Sequence, residues 1–178
     1  MIELDHSISG RVHRLRLGVL DYVLVVPGML FGSYVMPFTI LALGFWLGWR
    51  FGTVCTMAAV TTVAITNPMK HWIGRDRPQP LEAQRAIKIR KLVSNPAFPS
   101  GDSAQAGAIT TLLILLGPLP LPASLVFLPL VPLCMFSRVY FGAHWIGDTI
   151  GGVLIGSGVA FAYACWFSDF VGTGLPGA

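Results

Sequence analysis

From residue 20 to residue 167 the chain is a succession of long apolar stretches, broken by one polar segment at 71–97. Stretches of that length read as helices crossing a membrane, where the backbone must satisfy its own hydrogen bonds. The composition agrees, with 54% hydrophobic and 11% charged residues and a mean hydropathy of +0.69, far from the balance of a soluble domain. The expected fold class is therefore all-α, a polytopic transmembrane helix bundle. Residues 1–178 form one domain, with room for about five or six spans of roughly 20 residues each and none for an added soluble module. The basic N-terminus runs into an apolar stretch longer than a signal-peptide core, so no cleavable signal is expected.

Residues 1–17 place Leu4, Ile8, Val12 and Leu15 at helical spacing, with Arg11 and Arg14 off that stripe. This predicts an interfacial helix lying on the membrane. The region 20–49 contains Pro27 and Pro37 and is too long for one straight span. It reads as one long kinked or tilted helix, with a broken or re-entrant hairpin as the alternative. Further spans fit at 51–70, 100–117, 121–139 and 144–167, giving five in all, six if the first region divides. Small residues recur at intervals of four in Gly28/Gly32, Gly44/Gly48/Gly52, Gly147/Gly151 and Gly152/Gly156. They permit close helix packing within one protomer, and a homodimer is the alternative use. Cys55, Cys134 and Cys165 show no metal-ligand or CxxC spacing and read as packing residues.

Three polar clusters carry chemistry. In SRVYFGAHWIGD, His144 and Asp148 are four apart, on one face of a helix, where the carboxylate can orient the imidazole, and Arg138 supplies a permanent cation. Taken alone, that stretch is equally well a helix-end ion pair at a membrane boundary. In KHWIGRDRP, Lys70 and Arg77 are seven apart, about two helical turns if the helix persists, so both can reach one anion while Pro78 ends the element. A topological anchor is the competing use. In FPSGD, Pro99 suits a first helical position, and Ser100 and Gly101 would leave free amides at the helix N-terminus, a phosphate site or an ordinary helix start. Alternating spans put Lys70, Ser100, Arg138 and His144 on one membrane face, where costly membrane-edge charges are functional by default.

Lys70, Arg77 and Pro78, then Pro99, Ser100 and Gly101, then Ser137, Arg138, His144 and Asp148 resemble the three-part signature of the type-2 phosphatidic acid phosphatase superfamily, KxxxxxxRP, PSGH and SRxxxxxHxxxD. Ten of its eleven specified positions are matched in order, across residues 70–148. The resemblance implies phosphoryl transfer from a phospholipid or isoprenyl monophosphate or diphosphate, with neither metal nor cofactor. His144 would form a phosphohistidine, oriented by Asp148. Lys70, Arg77, Arg138 and the amides of Ser100 and Gly101 would hold the phosphoryl oxygens. Preorganised cations and amides of this kind can stabilise the charge that a metal clamp would otherwise carry.

The departure is Asp102, standing where the family has the histidine expected to protonate the leaving group. A carboxylate among basic side chains is a poor proton donor at neutral pH. Three escapes are open: a diphosphate substrate whose leaving group needs little help, His71 as the acid, or Asp102 as a base toward an incoming hydroxyl. The first two keep a lipid phosphatase and the third favours a lipid phosphotransferase using the same histidine; with none of them the chain is a non-catalytic phospholipid binder that has lost its acid.

Apart from motif residues, Arg11, Arg14, Arg16, Arg85, Lys88, Arg90 and Lys91 fall on the pocket side and Arg50 on the other. By the positive-inside rule the site faces the cytoplasm, as in a bacterial inner-membrane protein. The run from Arg85 to Lys91 is also a candidate for anionic headgroups. The net charge of +4 fits phospholipid contact, and nothing points to nucleic acid.

Overall fold

The structure is a computed structural model that describes residues 2–78, 87 and 95–172. Eight α-helices follow in order among these residues, with no strand: α1 (Ile2–Arg14), α2 (Asp21–Leu30), α3 (Met36–Leu47), α4 (Trp49–Ile73), α5 (Gly101–Leu115), α6 (Leu121–Leu125), α7 (Leu130–Tyr140) and α8 (Ile146–Val171). The basic run from Arg85 to Lys91 lies outside the described residues except at Ile87.

The bundle is built on α5 and α8, which lie side by side, with α4 and α7 packed against them. Small residues make that approach possible. A Cβ on Gly152 would strike the Ser100 carbonyl, and one on Gly156 would strike the Ala104 backbone. On the α5 side, Gly107 faces the Val153 backbone. Lipid offers helices no hydrophobic drive to associate, so contact of this closeness is what holds them. The core continues through Phe51, Val54, Cys55 and Ala58 of α4 and Ile109, Leu112 and Leu113 of α5. Polar side chains within it find backbone partners: Thr62 donates to the Ala58 carbonyl at 2.7 Å, and Gln105 Nε2 to the Ala59 carbonyl at 3.0 Å.

The region 20–49 is not one kinked helix; its broken alternative is what forms. The chain turns at 31–35, and Gly48 then brings α3 back along α4, with Gly44 and Gly52 in backbone contact. Pro37 cannot donate a hydrogen bond across the break, and Thr39 Oγ1 donates to the orphaned Leu30 carbonyl at 2.9 Å. The glycine pairs are thus largely occupied inside the protomer. Cys55 and Cys134 are buried as expected, whereas Cys165 is exposed and packs against nothing in the core.

By length and apolarity, two described helices can cross a membrane: Leu121–Tyr140, taken through α6 and α7, and Ile146–Val171. That is fewer than the five spans read from sequence. α5 has 15 residues, and α2 and α3 have 10 and 12. Large apolar side chains including Phe38, Phe45, Trp46, Val60, Leu154, Phe161 and Trp166 are nevertheless exposed around the bundle, as lipid-facing side chains are.

The N-terminal segment is helical, with an orientation that the apolar stripe alone did not reveal. Leu4, Ile8 and Leu15 point outward, 64%, 43% and 45% exposed, whereas Val12 of the same stripe packs against Tyr140 and Phe141, and Ser9 and His13 are buried against α7 and α8. Its polar side faces the protein.

Candidate active site

Four backbone features assemble the site. α4 ends at Gly74, whose left-handed conformation (φ 63°) and N–H bond to the Lys70 carbonyl close the helix. Lys70 and Arg77 therefore do not share a continued helix, and Pro78 is not the residue that stops it. α5 starts at the N-cap Ser100, so Pro99 precedes the helix, behind a cis Phe98–Pro99 bond. α7 ends at Tyr140, and the chain reverses through Gly142 (φ 68°), against which the His13 ring packs. Finally, the Ser100 N–H donates to the Asp148 carbonyl at 3.0 Å, tying the start of α5 to the first turn of α8.

That last bond corrects the reading of FPSGD, because the Ser100 amide is spent inside the fold. The Ser100 hydroxyl is spent too, donating to Ser103 Oγ at 3.0 Å. The amides of Gly101 and Asp102 make no hydrogen bond among the described residues and stand at the N-terminus of a 15-residue helix. The space beside Gly101 is open.

Residues from all three motifs meet here. Lys70, buried, donates through Nζ to the Pro99 carbonyl at 2.6 Å and so fastens the approach to α5. Arg77 holds the same loop from the other side, through the Asn95 carbonyl at 2.7 Å and Asn95 Oδ1 at 2.8 Å. Its Nη1 reaches the Ala143 carbonyl at 2.5 Å and His144 Nε2 at 3.1 Å. A guanidinium has no acceptor, so Nε2 must accept and the imidazole proton must sit on Nδ1. Nδ1 is buried, makes no hydrogen bond among the described residues, and faces Asp148 Oδ2 at 3.6 Å.

Arg138 is buried and pairs through Nη2 with Asp102 Oδ2. Its Nε is buried with no acceptor among the described residues. A buried charged donor left unsatisfied is costly, and an anion entering the site removes that cost. His71, the alternative proton donor, is exposed at the end of α4 and has no part in this cluster.

Burial, and after it the charges of Arg77, Arg138 and Lys70, push His144 well below the ordinary histidine value of 6.5. The imidazole thus stays neutral to lower pH than an ordinary histidine does. The unfolded chain takes up a proton in the window below 6.5 that the folded chain refuses, so stability rises with pH across that window. Melting temperatures between about pH 5 and pH 7 should rise more steeply for the wild type than for His144→Gln.

Sequence reasoning passed over three participants. Arg75 bridges Asp148 and Asp5, with 2.7 Å to each. Asp5 accepts the Gly147 N–H at 3.0 Å, and Ser9 Oγ accepts the Ile146 N–H at 2.9 Å. Asp5, Ser9 and His13 are spaced by four, a second helical stripe that was readable beside the apolar one.

With that geometry in place, comparison with known proteins is decisive for the family: the sequence matches the PAP2 superfamily over residues 50–171. The chain belongs to that superfamily. Its fold is similar to that of the first transmembrane PAP2 type phosphatidylglycerolphosphate phosphatase from Bacillus subtilis, with a TM-score of 0.78 and 23% identity, covering 94% of this chain and 86% of that one. It is also similar to Aquifex aeolicus LpxE, with a TM-score of 0.70 and 22% identity, covering 91% of this chain and 93% of the other. No curated protein matches the chain by sequence. PAP2 membership agrees with the three-motif reading, and the matched range contains every residue that reading singled out as part of the site.

Proposed function

We propose that this PAP2 protein is a membrane lipid phosphatase that works through a phosphohistidine at His144 and favours diphosphates over monophosphates. The observation that carries the reading is the state of the imidazole. By donating to Nε2, Arg77 marks it as the unprotonated nitrogen, whose lone pair must exchange that hydrogen bond for the bond to phosphorus; Nδ1–H faces the Asp148 carboxylate, and an unsatisfied Arg138 Nε stands in the same cluster. The B. subtilis neighbour is a phosphatidylglycerolphosphate phosphatase, which supports a lipid phosphate as substrate; the preference for diphosphates rests on Asp102 alone.

In the first step Nε2 bonds to phosphorus as the bond from phosphorus to the leaving oxygen breaks. Arg138, with the amides of Gly101 and Asp102, takes up charge on the phosphoryl oxygens, and Asp148 stabilises the imidazolium that forms. In the second step water attacks the phosphohistidine, its proton passes to Asp102, and inorganic phosphate leaves. Asp102 is engaged as an acceptor by Arg138 and offers no proton to the first leaving group. A lipid monophosphate, with a second pKa of about 6, departs from a diphosphate without one, whereas an alkoxide does not. The exposed apolar belt lets an amphiphile enter from the side with its tail in lipid.

The test is phosphate release by purified protein from matched lipid monophosphates and diphosphates, with Asp102→His and Asp102→Asn in parallel. Diphosphates should be the faster substrates of the wild type, and Asp102→His should raise monophosphate turnover by about 10²-fold, the low end of a general acid's worth. Equal wild-type rates on both classes would remove the diphosphate preference. Exchange of headgroups between lipids in place of phosphate release would make the protein a transferase.

A further inference from the structure

We propose that the N-terminal helix is part of the catalytic apparatus: Asp5 and Arg75 are positioning residues that set His144 through Asp148. The inference rests on His144 being the nucleophile, and it adds to that reading Arg75, an unspecified position of the first motif, and α1, which lies outside all three motifs and outside the matched range.

The Asp148 carboxylate is fully buried and pinned at both oxygens. Oδ2 accepts the Trp145 N–H at 2.9 Å and faces His144, while Oδ1 accepts from Arg75 Nη1 at 2.7 Å. A carboxylate with only the Trp145 contact could pivot about it; the guanidinium prevents that and supplies the counter-charge. Arg75 is held in turn by Asp5 Oδ2 at 2.7 Å, and its guanidinium lies 5.8 Å from the centre of the Trp145 ring. The other Asp5 oxygen accepts the Gly147 N–H at 3.0 Å and the Ser9 hydroxyl at 3.2 Å, and Ser9 Oγ accepts the Ile146 N–H. Thus the first two amides of α8, the helix that bears Asp148, are capped by side chains of a helix more than a hundred residues away.

The fit leaves no slack. A Cβ at Gly147 would lie 2.8 Å from Asp5 Oδ2. Burial opposes the charge on Asp5, but Arg75, the Gly147 amide and Ser9 together outweigh it and hold the carboxyl below its ordinary 3.8. How α1 is attached points the same way. None of its residues belongs to the main apolar core; of its apolar stripe Val12 packs against Tyr140 and Phe141, while Leu4, Ile8 and Leu15 are exposed. Its polar attachments converge instead on the turn that carries the nucleophile, where His6 also stacks on Trp145 at 4.0 Å.

The experiment compares wild type, Asp5→Asn, Arg75→Lys, Arg75→Ala, Asp148→Asn, Arg75→Ala/Asp148→Asn and His144→Ala in detergent micelles. It measures kcat and KM on farnesyl diphosphate and on dioleoyl phosphatidic acid, together with the affinities for orthovanadate and inorganic phosphate. Vanadate, which bonds to the imidazole, reports the transition-state geometry even if neither lipid is the preferred one; phosphate reports the anion pocket alone. Arg75→Ala should lose about 30-fold and Asp5→Asn about 5-fold in kcat, and vanadate affinity should fall in parallel. KM and phosphate affinity should stay within about twofold, since neither residue touches the anion. Arg75→Lys should recover part of the loss, because an ammonium can serve one carboxylate but cannot bridge two in the same plane. The double variant should be no slower than Asp148→Asn, as expected of a residue acting through another. If Arg75→Ala does not fold, Asp5→Asn and Arg75→Lys carry the comparison. An inactive His144→Ala beside fully active Arg75 and Asp5 variants overturns this inference alone, as does a loss of phosphate affinity that matches the loss of kcat. An active His144→Ala, or a wild type blind to vanadate, overturns the nucleophile assignment beneath it.

Discussion

Replacing His144 with alanine should reduce phosphate release by about 10⁴-fold or more, the scale on which enzymes with a covalent intermediate lose activity when the nucleophile goes. The expectation includes a chemical signature. Alkaline quenching of the wild type during turnover should trap a phosphorylated histidine, and His144→Ala should trap none. Asp148→Asn provides the informative contrast. In a serine protease the equivalent change costs about 10⁴-fold because the imidazole adopts the wrong tautomer. Here Arg77 Nη1, 3.1 Å from Nε2, fixes the tautomer independently of Asp148. The loss should therefore be nearer 10²-fold, with kcat measured under saturating substrate. A loss as large as that of His144→Ala would mean that Arg77 has no control over the tautomer.

The largest structural effect is expected at Gly156. A Cβ there overlaps the Ala104 backbone, and Ala104 Cα would be only 3.0 Å away. Backbone cannot swing aside as a flexible side chain can, so Gly156→Val must push α8 off α5. This should cost about 3 kcal/mol or more, in the range of severe core disruption. Thermal unfolding in detergent should show it, with Gly158→Val as control, because nothing lies within 4 Å of a Cβ at Gly158. Activity should fall along with stability, since the displaced α5 carries Gly101 and Asp102.

The convergence of Lys70, Arg77, Ser100, Arg138 and His144 was legible in the sequence because two simple constraints suffice for it. Motif spacing selects the residues, and alternating helix direction brings them to one end of the bundle. Polar clusters at the ends of apolar stretches are visible without coordinates. What was not legible depends on where individual hydrogen bonds go. Nothing in FPSGD says that the Ser100 amide is taken by the Asp148 carbonyl, 48 residues on, because the bond requires the particular crossing of α5 and α8. Likewise the break at 31–35 turns on which groups satisfy the freed backbone, and Thr39 is one member of an unremarkable apolar run. The pairing of Asp102 with Arg138 could not be distinguished from pairing with any other nearby cation. Arg75 was hidden by its own neighbours: grouped with Lys70 and Arg77 in one basic motif stretch, it offers no spacing that marks a separate role. The inward face of α1 was half visible. Leu4, Ile8 and Leu15 announced a membrane-facing stripe, and Asp5, Ser9 and His13 announced another face without saying what it would touch.

The backbone bond from Ser100 N–H to the Asp148 carbonyl bears on how such a site can change over time. It joins the N-terminus of α5 to the first turn of α8 using main-chain atoms alone, so it does not depend on which side chain stands at position 102. Position 102, two residues further along and half-buried, can then be rewritten without disturbing the frame around it. A histidine, an aspartate or an amide there would meet the same arginine from the same anchored backbone, each supporting a different proton economy. The site has a fixed chassis and an exchangeable part, and Asp102 is the exchangeable part.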